Sequence, residues 1–480
     1  MLFTEPTFLF VFLPALLGIY YAVTPRFRNW VLLAASVIFY ARGAGAFTWL
    51  ILGSIVFNYV AALAIARRQG TPAARRVLIG TVVVNLTVLG MFKYAGFAVS
   101  NLNVLISPLG VRPFAVPEVL LPIGISFFTF HAISYVVDVY RHDASAQKHP
   151  VEAALYLLVF PQLIAGPIIR YRQIAAQLSS RMNTTGDFAY GIRRFVIGLS
   201  KKMIIANTLA GPADQIFGME PAAVTAAHAW IGVVCYTLQI YFDFSGYSDM
   251  AIGLGRMFGF RFPENFAYPY IASSVQDFWR RWHMSLSAWF RDYVYIPLGG
   301  NRASAARTYF NLVLVFFLCG LWHGASWTFV TWGLFHGAFL VFERLGLARR
   351  LEGMPRLIRH GYLLVVVMTS WVFFRASTLA GAIAMLGAMI GLGGDVPAAY
   401  APAWYLTREV ALALVLGVIG STPVVPYLAE GWARWSADAG EPRLGWTPSL
   451  VAVVALFALL TVSLTLSAAQ TYNPFIYFRF

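Results

Sequence analysis

Three histidines lie in apolar or aromatic stretches of the chain, where an ionisable side chain is costly to bury. His323 stands in the stretch LCGLWHG directly after Trp322, and His283 and His336 lie 40 residues before it and 13 residues after it. A neutral imidazole, with a pKa of about 6.5, can take a proton from a hydroxyl and return it to a departing thiol. The position of His323 therefore indicates acyl-transfer chemistry with the imidazole as general base.

A packing role is the alternative explanation for each of these histidines. In that role, a buried imidazole in a membrane helix forms hydrogen bonds with its neighbours and takes no part in chemistry. Gly320 and Gly324 flank His323 and would let a second backbone or a ligand come close, with Trp322 as a flat wall. These neighbours favour a functional role for His323. His336 also stands beside glycines, and there packing, or support of the first histidine, is the favoured interpretation.

A basic and aromatic segment at 276–293 carries too many charges to span a membrane, yet its large aromatic side chains recur at helical spacing. One continuous helix would place Trp279 and His283 on the same face. Two interpretations stay open: a helix that anchors in the membrane interface, and an amphipathic wall of a polar tunnel. In the second, Arg280 and Arg281 attract the phosphates of an acyl donor.

Two carboxylates, Asp243 and Asp249, interrupt an otherwise apolar run. Each costs about 3 kcal/mol at the centre of a membrane helix on insertion scales. Because they are 6 residues apart, they do not share a helix face, which argues against a paired acid and base or a metal site. We predict that they are structural partners of loop arginines and that no metal is bound. Signatures of serine hydrolases, zincins and P-loop ATPases do not occur in the sequence.

Composition assigns these residues to a membrane protein. The chain has 480 residues, of which 59% are hydrophobic and 11% are charged, with a mean hydropathy of +0.68. Long apolar windows recur from end to end without the alternation of a β-barrel, so we predict an all-α polytopic membrane protein. The net charge of +15 comes from arginines and lysines grouped in short loops, which indicates membrane topology and not nucleic-acid binding.

The apolar windows predict about eleven or more membrane spans, with two further pieces, 151–169 and 379–393, that are short or interrupted. The candidate spans are 7–23, 30–43, 45–66, 77–99, 119–140, 188–211, 226–252, 308–325, 327–345, 358–376, 408–428 and 448–467.

Basic loops give the orientation of these spans. By the positive-inside rule, the loops at 67–76, 170–202, 256–307 and 344–359 face the cytoplasm. This orientation leaves 151–169 as a segment that enters the membrane and returns, and its prolines and glycine fit such a path. Irregular backbone at membrane depth is tolerated where it is buried in protein or lines a cavity, so a hollow inside the helical bundle is expected.

Six motifs spread over almost the whole chain resemble the membrane-bound O-acyltransferase family, and among its branches the bacterial one that serves alginate O-acetylation. They are PQLIAGPI (161–168), DFSGYSDMAIG (243–253), FWRRWHMSLSAWFRDYVYIPLGG (278–300), GLWHG (320–324), SWVFFRA (370–376) and PFIYFRF (474–480).

The resemblance implies one membrane domain over 1–480, with a catalytic core at about 119–376. It implies a ring of about eleven or more helices with re-entrant segments around a central tunnel. The family's histidine maps onto His323, and a second family position maps onto His283. The residues expected to bind substrate beside these two histidines are Trp279, Arg280, Arg281, Trp322 and Gly324.

The reaction implied by the resemblance is transfer of an acetyl group from a cytoplasmic thioester across the bacterial inner membrane, for O-acetylation of an exported polysaccharide such as alginate. Acetyl-coenzyme A or another acetyl thioester would be the donor substrate, and no tightly bound cofactor is expected. The expected partners are membrane lipid, a periplasmic SGNH-type acetyltransferase and the exopolysaccharide machinery. Two alternatives without chemistry stay open: a transporter or flippase, and a scaffold for the periplasmic enzyme.

Overall fold

All the regular secondary structure of the described residues is helical. The computed structural model describes residues 1–302, 304–394, 399–428, 430–431 and 447–469, and within these ranges no strand occurs. The predicted all-α fold is therefore confirmed. The motif at 474–480 lies outside the described residues.

The chain divides into two compact units. The first consists of 1–192 with 251–263, and the second of 193–250 with 264–480. All the site residues named from the sequence belong to the second unit. The ring and the central tunnel implied by the resemblance stay predictions.

The helices of the first part of the chain form the first unit. They are α1 (Leu13–Ala22), α2 (Arg28–Ala44), α3 (Thr48–Arg67), α4 (Pro72–Ile106), α5 (Ile125–Tyr140), α6 (Pro150–Leu158), α7 (Phe160–Leu163) and α8 (Tyr171–Ser179).

The predicted interruption at 151–169 is confirmed. Helix α6 ends at Leu158, and the ψ of 120° at Val159 turns the chain. Helix α7 then lasts only from Phe160 to Leu163, with a proline in its first turn. A Cβ atom on Gly166 would lie 2.8 Å from the carbonyl oxygen of Pro161, so the backbone folds back on itself too closely for a side chain there.

The helices that follow in the chain carry the candidate site. They are α9 (Thr185–Ser200), α10 (Asn207–Phe217), α11 (Ala226–Met257), α12 (Val275–Arg281), α13 (Met284–Phe290), α14 (Ala305–His323), α15 (Trp327–Phe342), α16 (Ala348–Glu352), α17 (Arg356–Arg375), α18 (Leu379–Met389), α19 (Arg408–Gly420) and α20 (Thr447–Ala469).

Five helical segments in the described part of the chain are long and apolar enough to cross a membrane, judged by length and composition: Pro25–Arg67, Pro72–Leu109, Ala305–His323, Arg356–Arg375 and Leu450–Ala469. Other predicted spans form shorter apolar helices, because turns interrupt the runs. For example, α5 begins only at Ile125, after Gly124 in a left-handed conformation. The chain is a multi-pass membrane protein, and the expected number of spans stays a prediction.

The two carboxylates in the apolar run of α11 are paired with cations, as predicted, but the cations do not lie in loops. Asp249 binds Arg194 of α9 and Lys201, each at 2.7 Å. Asp243 binds Lys202 at 2.5 Å, and both of these side chains are almost fully buried. The prediction of loop arginines was therefore wrong in detail, because lysines of the π-helical turn Lys201–Ala206 take part of that role.

Candidate active site

His323 is the last residue of α14, and its side chain is buried. The helix begins after Ser304, whose hydroxyl caps the first turn. It ends because Gly324 adopts an extended conformation, with φ −173° and ψ 151°, before α15 starts at Trp327. The predicted span at 308–325 is confirmed to within a few residues, and the histidine lies where the helix stops.

Aromatic rings from three helices surround the imidazole of His323. The ring of Trp322 on α14 and that of Trp332 on α15 each lie 4.9 Å from it between centroids, and Phe374 on α17 lies at 5.2 Å. All three contacts are edge-to-face, a geometry that aromatic pairs favour. The rings fix the orientation of the imidazole and exclude bulk water from it.

The glycines near His323 serve helix packing. A Cβ atom on Gly320 would overlap the carbonyl oxygen of Phe329, and one on Gly324 would overlap the ring of the same phenylalanine. The expected close approach of a second backbone is therefore confirmed at Gly320. At Gly324 the space belongs to Phe329, and a role in substrate binding stays a prediction.

The segment that carries His283 is not one helix. Helix α12 ends at Arg281, α13 begins at Met284, and His283 between them is left-handed, with φ 44° and ψ 52°. The expectation that Trp279 and His283 share a helix face was wrong for this reason. A left-handed conformation costs a non-glycine residue about 1 kcal/mol or more and persists where surrounding contacts impose it.

Asn265 supplies those contacts. Its backbone carbonyl accepts a hydrogen bond from the amide of Met284 at 2.9 Å. Its side-chain oxygen accepts from the amide of Ser285 at 3.2 Å and lies 3.2 Å from Nδ1 of His283. No motif marks this asparagine in the sequence, and sequence reasoning missed it.

Trp322 contacts both candidate histidines. Its ring centroid is 6.2 Å from that of His283 and 4.9 Å from that of His323. The structure thus brings these three predicted site residues together, although they come from two separate parts of the chain.

His336 on α15 extends the same aromatic cluster. The indole nitrogen of Trp279 donates a hydrogen bond to Nδ1 of His336 at 3.3 Å. Trp332 contacts His336 at 5.2 Å and His323 at 4.9 Å between ring centroids. His336 is fully buried. This arrangement agrees with the packing and support role that the sequence favoured.

The segment does not lie on a surface as an interfacial anchor would. Trp279, Trp282, His283 and Trp289 are all buried within the second unit. The burial of these rings in protein favours the second of the two interpretations that the sequence left open, and the tunnel itself stays a prediction.

A cavity of about 260 Å³ adjoins this segment. Trp279, Phe316 and Cys319 form part of its apolar lining, and Arg280 and Arg291 contribute exposed cationic groups. Arg281 does not line it. Arg281 forms an ion pair with Asp277 at 3.0 Å and donates to the carbonyl of Ala267 at 3.3 Å, so the two neighbouring arginines differ in their surroundings.

A second residue that sequence reasoning missed is Glu343, which holds the first turn of α12. Its carboxylate accepts the backbone N–H groups of Val275 at 2.6 Å and Gln276 at 3.0 Å, and the hydroxyl of Tyr362 at 3.2 Å. A carboxylate at a helix N-terminus satisfies free N–H groups and opposes the positive end of the helix dipole. Glu343 thereby fixes the helix that carries Trp279.

Across the described ranges, no group of three or more His, Cys, Asp or Glu side chains could hold a metal ion. Cys235 and Cys319 are both buried free thiols.

Comparison with known proteins decides the family. The profile of the membrane-bound O-acyltransferase family matches residues 118–383, a range that includes both candidate histidines. The chain belongs to this family. The match also spans the whole range of about 119–376 in which the catalytic core is expected.

The relatives of this acyltransferase are named for O-acetylation of alginate or of peptidoglycan. The probable alginate O-acetylase of Azotobacter vinelandii is 44% identical, with both chains covered in full. That of Pseudomonas putida is 43% identical over the same extent. The peptidoglycan O-acetyltransferase of Helicobacter pylori is 39% identical over 82% of this chain and 80% of its own. The chain is therefore a membrane acyltransferase, as predicted.

Proposed function

We propose that this acyltransferase moves an acetyl group from a cytoplasmic thioester across the inner membrane, where it serves O-acetylation of an exported polysaccharide, with alginate as the first candidate. His323 is the general base of the transfer, and His283 is its companion in the site. The catalytic core spans about 119–376 of a single membrane domain.

The observation that carries this proposal is that two buried histidines both contact Trp322. His323 ends a helix inside an aromatic enclosure, and its neighbour His283 is held in a strained conformation by tertiary hydrogen bonds. Strained, buried ionisable residues concentrate at functional sites. A packing role alone would leave the strain without a purpose.

The chemistry balances with one base. As the acceptor oxygen attacks the thioester carbonyl, its proton passes to the imidazole of His323. The carbon–sulfur bond breaks, and the thiolate that leaves takes the same proton from the imidazolium. The products are an acetyl ester and a free thiol, and no metal is required for any of these steps.

The cavity beside Trp279 supports a thioester donor. Its volume of about 260 Å³ falls just below the range of about 300–1,000 Å³ for pockets that enclose whole drug-sized ligands. It suits the narrow arm of an acyl thioester, with the phosphates outside at Arg280 and Arg291. Acetyl-coenzyme A and an acetylated carrier protein share this arm, and both are candidate donors.

Orientation supports the direction of transfer. With 256–307 on the cytoplasmic side, the segment that contains Arg280 faces the donor, and α14 runs outward to His323. An SGNH-type acetyltransferase in the periplasm would then place the acetyl group on the polymer, together with the exopolysaccharide machinery.

The acetyl content of the cell-surface polymer, in a deletion strain complemented with variants, tests the proposal. His323→Ala should abolish acetylation while the protein stays at wild-type level in the membrane, and His283→Ala should reduce it strongly. His149→Ala, which removes an exposed histidine, should retain full acetylation. Full acetylation by the His323 variant would overturn the role of the base.

Purified protein in detergent separates chemistry from transport. With an acceptor hydroxyl present, the proposal expects release of free thiol from acetyl-coenzyme A or an acetylated carrier that depends on His323. A wild-type protein that transports acetyl groups in vesicles but releases no thiol from any donor would favour the transporter interpretation.

A further inference from the structure

Asn265 is completely enclosed and forms hydrogen bonds through both ends of its side chain. Its Oδ1 accepts the hydroxyl of Ser285 at 2.8 Å and the backbone N–H of Ser285 at 3.2 Å. Its Nδ2 donates to the hydroxyl of Ser248 at 3.1 Å. The third neighbour of Oδ1 is Nδ1 of His283, also at 3.2 Å.

The backbone N–H of Ser285 determines the orientation of the Asn265 side-chain amide. A backbone N–H can only donate, so the atom that faces the amide of Ser285 must be the oxygen. The same oxygen faces Nδ1 of His283. An oxygen without a hydrogen accepts and does not donate, so Nδ1 of His283 must carry the hydrogen.

The consequence appears on the other ring nitrogen of His283. A neutral imidazole has one N–H group, and with the hydrogen on Nδ1 the lone pair is on Nε2. Nε2 is buried, and no hydrogen-bond partner lies near it in the part of the chain that the structure describes. A buried polar atom without a partner destabilises the free protein, and a hydrogen bond from a bound ligand removes that cost.

The carboxylates on the elements around His283 are already paired, and the exposed Arg280 on α12 lines the cavity. On α11, Asp243 binds Lys202 and Asp249 binds Arg194 and Lys201. Next to Asn265, Glu264 binds Arg194. On α12, Asp277 binds Arg281. The rings of Phe244 and Trp322 contact the imidazole itself, and α14 also carries the titratable groups Cys319 and His323.

We infer that Asn265 is a positioning residue that holds His283 with its Nε2 lone pair free to accept a hydrogen bond from an N–H or O–H group of a substrate. The inference rests on the proposed function and adds the chemistry that His283 recognises. Two sources offer that chemistry: an amide N–H of the thioester donor's arm, and a hydroxyl of the acceptor.

Substitution of Asn265 by aspartate tests the inference without removing its hydrogen bonds. A carboxylate still accepts from Ser285 and from Nδ1 of His283, and the hydroxyl of Ser248 can turn to donate to it. The negative charge stabilises the imidazolium, which cannot accept at Nε2. Asn265→Asp should therefore move the acidic limb of the pH–rate profile upward by about one unit or more, measured as thiol release from acetyl-coenzyme A by purified protein.

Three further variants complete the experiment. Asn265→Leu should lower activity by about tenfold or more at every pH, since the loss of one hydrogen bond to a substrate is worth about 1.4 kcal/mol or more. If Asn265→Leu does not fold, the aspartate variant carries the test. Ser248→Ala, which removes only the hydroxyl partner of Nδ2, should keep the wild-type profile. His283→Ala in the Asn265→Asp background should remove the shift.

The kinetics of Asn265→Leu, with acetyl-coenzyme A and alginate oligosaccharide varied in turn, identify the source of the N–H or O–H group. The KM for acetyl-coenzyme A rises if the donor supplies the group, and the KM for the oligosaccharide rises if the acceptor supplies it. An Asn265→Asp profile that coincides with wild type would overturn the inference and leave the proposed function intact. Failure of the proposed function is a separate result, in which wild-type protein itself releases no thiol.

Discussion

Gly320 on α14 and Gly333 on α15 pack backbone against backbone. A Cβ atom on Gly333 would lie 3.1 Å from the Cα atom of Gly320. Because α14 carries His323 and α15 carries Trp332, the separation of these two helices sets the distance between the histidine and one wall of its enclosure.

Substitution of Gly320 by alanine should push the two helices apart. The new methyl group overlaps the Phe329 carbonyl, and overpacking of this kind destabilises by about 1–3 kcal/mol. The thermal unfolding midpoint in detergent should fall, and activity should fall with it. Gly361→Ala on α17, where a Cβ atom meets nothing within 4 Å, is the matched control and should lose no stability. Equal midpoints for the two variants would contradict the packing role.

Removal of the Trp322 ring that contacts both histidines should disable the site. Trp322→Ala is expected to lower polymer acetylation at least about tenfold, because both imidazoles lose a contact that fixes their orientation. Trp322→Phe, which keeps an aromatic ring, should retain part of the activity. The control is Trp49→Ala, an exposed tryptophan of α3. Acetyl content should be normalised to the amount of protein in the membrane, and a fully active Trp322→Ala would exclude a positioning role.

The two neighbouring arginines should behave differently. No ion pair of Arg280 occurs within the described ranges, and its side chain lines the cavity. Arg280→Ala should therefore raise the KM for the thioester donor about tenfold with little change in stability, and Arg280→Lys should raise it less. Arg281→Ala breaks the pair with Asp277 and should lower the unfolding midpoint at unchanged KM. If the KM for the donor rises on substitution of Arg281 but not of Arg280, the donor phosphates do not bind beside the cavity.

Loss of the carboxylate at position 343 should loosen α12. In Glu343→Gln, one oxygen is replaced by an NH₂ group that faces a backbone N–H, so one of the two caps is lost. We expect a destabilisation of about 1–2 kcal/mol and faster hydrogen exchange at Val275 and Gln276. Glu352→Gln on α16, an exposed position, should change neither. Unchanged exchange at the first turn of α12 would show that Glu343 does not hold it.

The pair formed by Lys202 and Asp243 should be costly to break from one side only. Lys202→Met leaves a buried carboxylate and should destabilise by about 3–5 kcal/mol, whereas the double variant Lys202→Met with Asp243→Leu should regain most of that loss. Chemical unfolding of the three proteins in the same detergent measures both values. A double variant as unstable as the single one would indicate that the charges themselves hold the helices.

Local patterns in the sequence were sufficient for the helix that ends at His323 and for the interruption near Pro161. In both cases the deciding signal, an apolar run or a proline, lies within a few residues of the feature. Hydropathy also overestimated the length of some helices, because the apolar run ahead of Ile125 is not helical.

The conformation of His283 could not be predicted in this way. Its segment has helical spacing of aromatic residues, and the left-handed break is imposed by Asn265, which lies 18 residues away in the chain and within hydrogen-bond distance in space. The role of Glu343 could not be predicted for the same reason, since the N–H groups that donate to it belong to a helix almost 70 residues before it. Tertiary hydrogen bonds of this kind leave no periodic trace in the sequence.

The aromatic enclosure of His323 also limits hydrolysis of the thioester donor by water. A thioester that meets both a base and a water molecule is hydrolysed, and the cell loses activated acetate without modifying any polymer. With Trp322, Trp332 and Phe374 packed around the imidazole, the base of the proposed reaction is shielded until a substrate oxygen enters. The three rings thus favour transfer of the acetyl group to a substrate over its loss by hydrolysis.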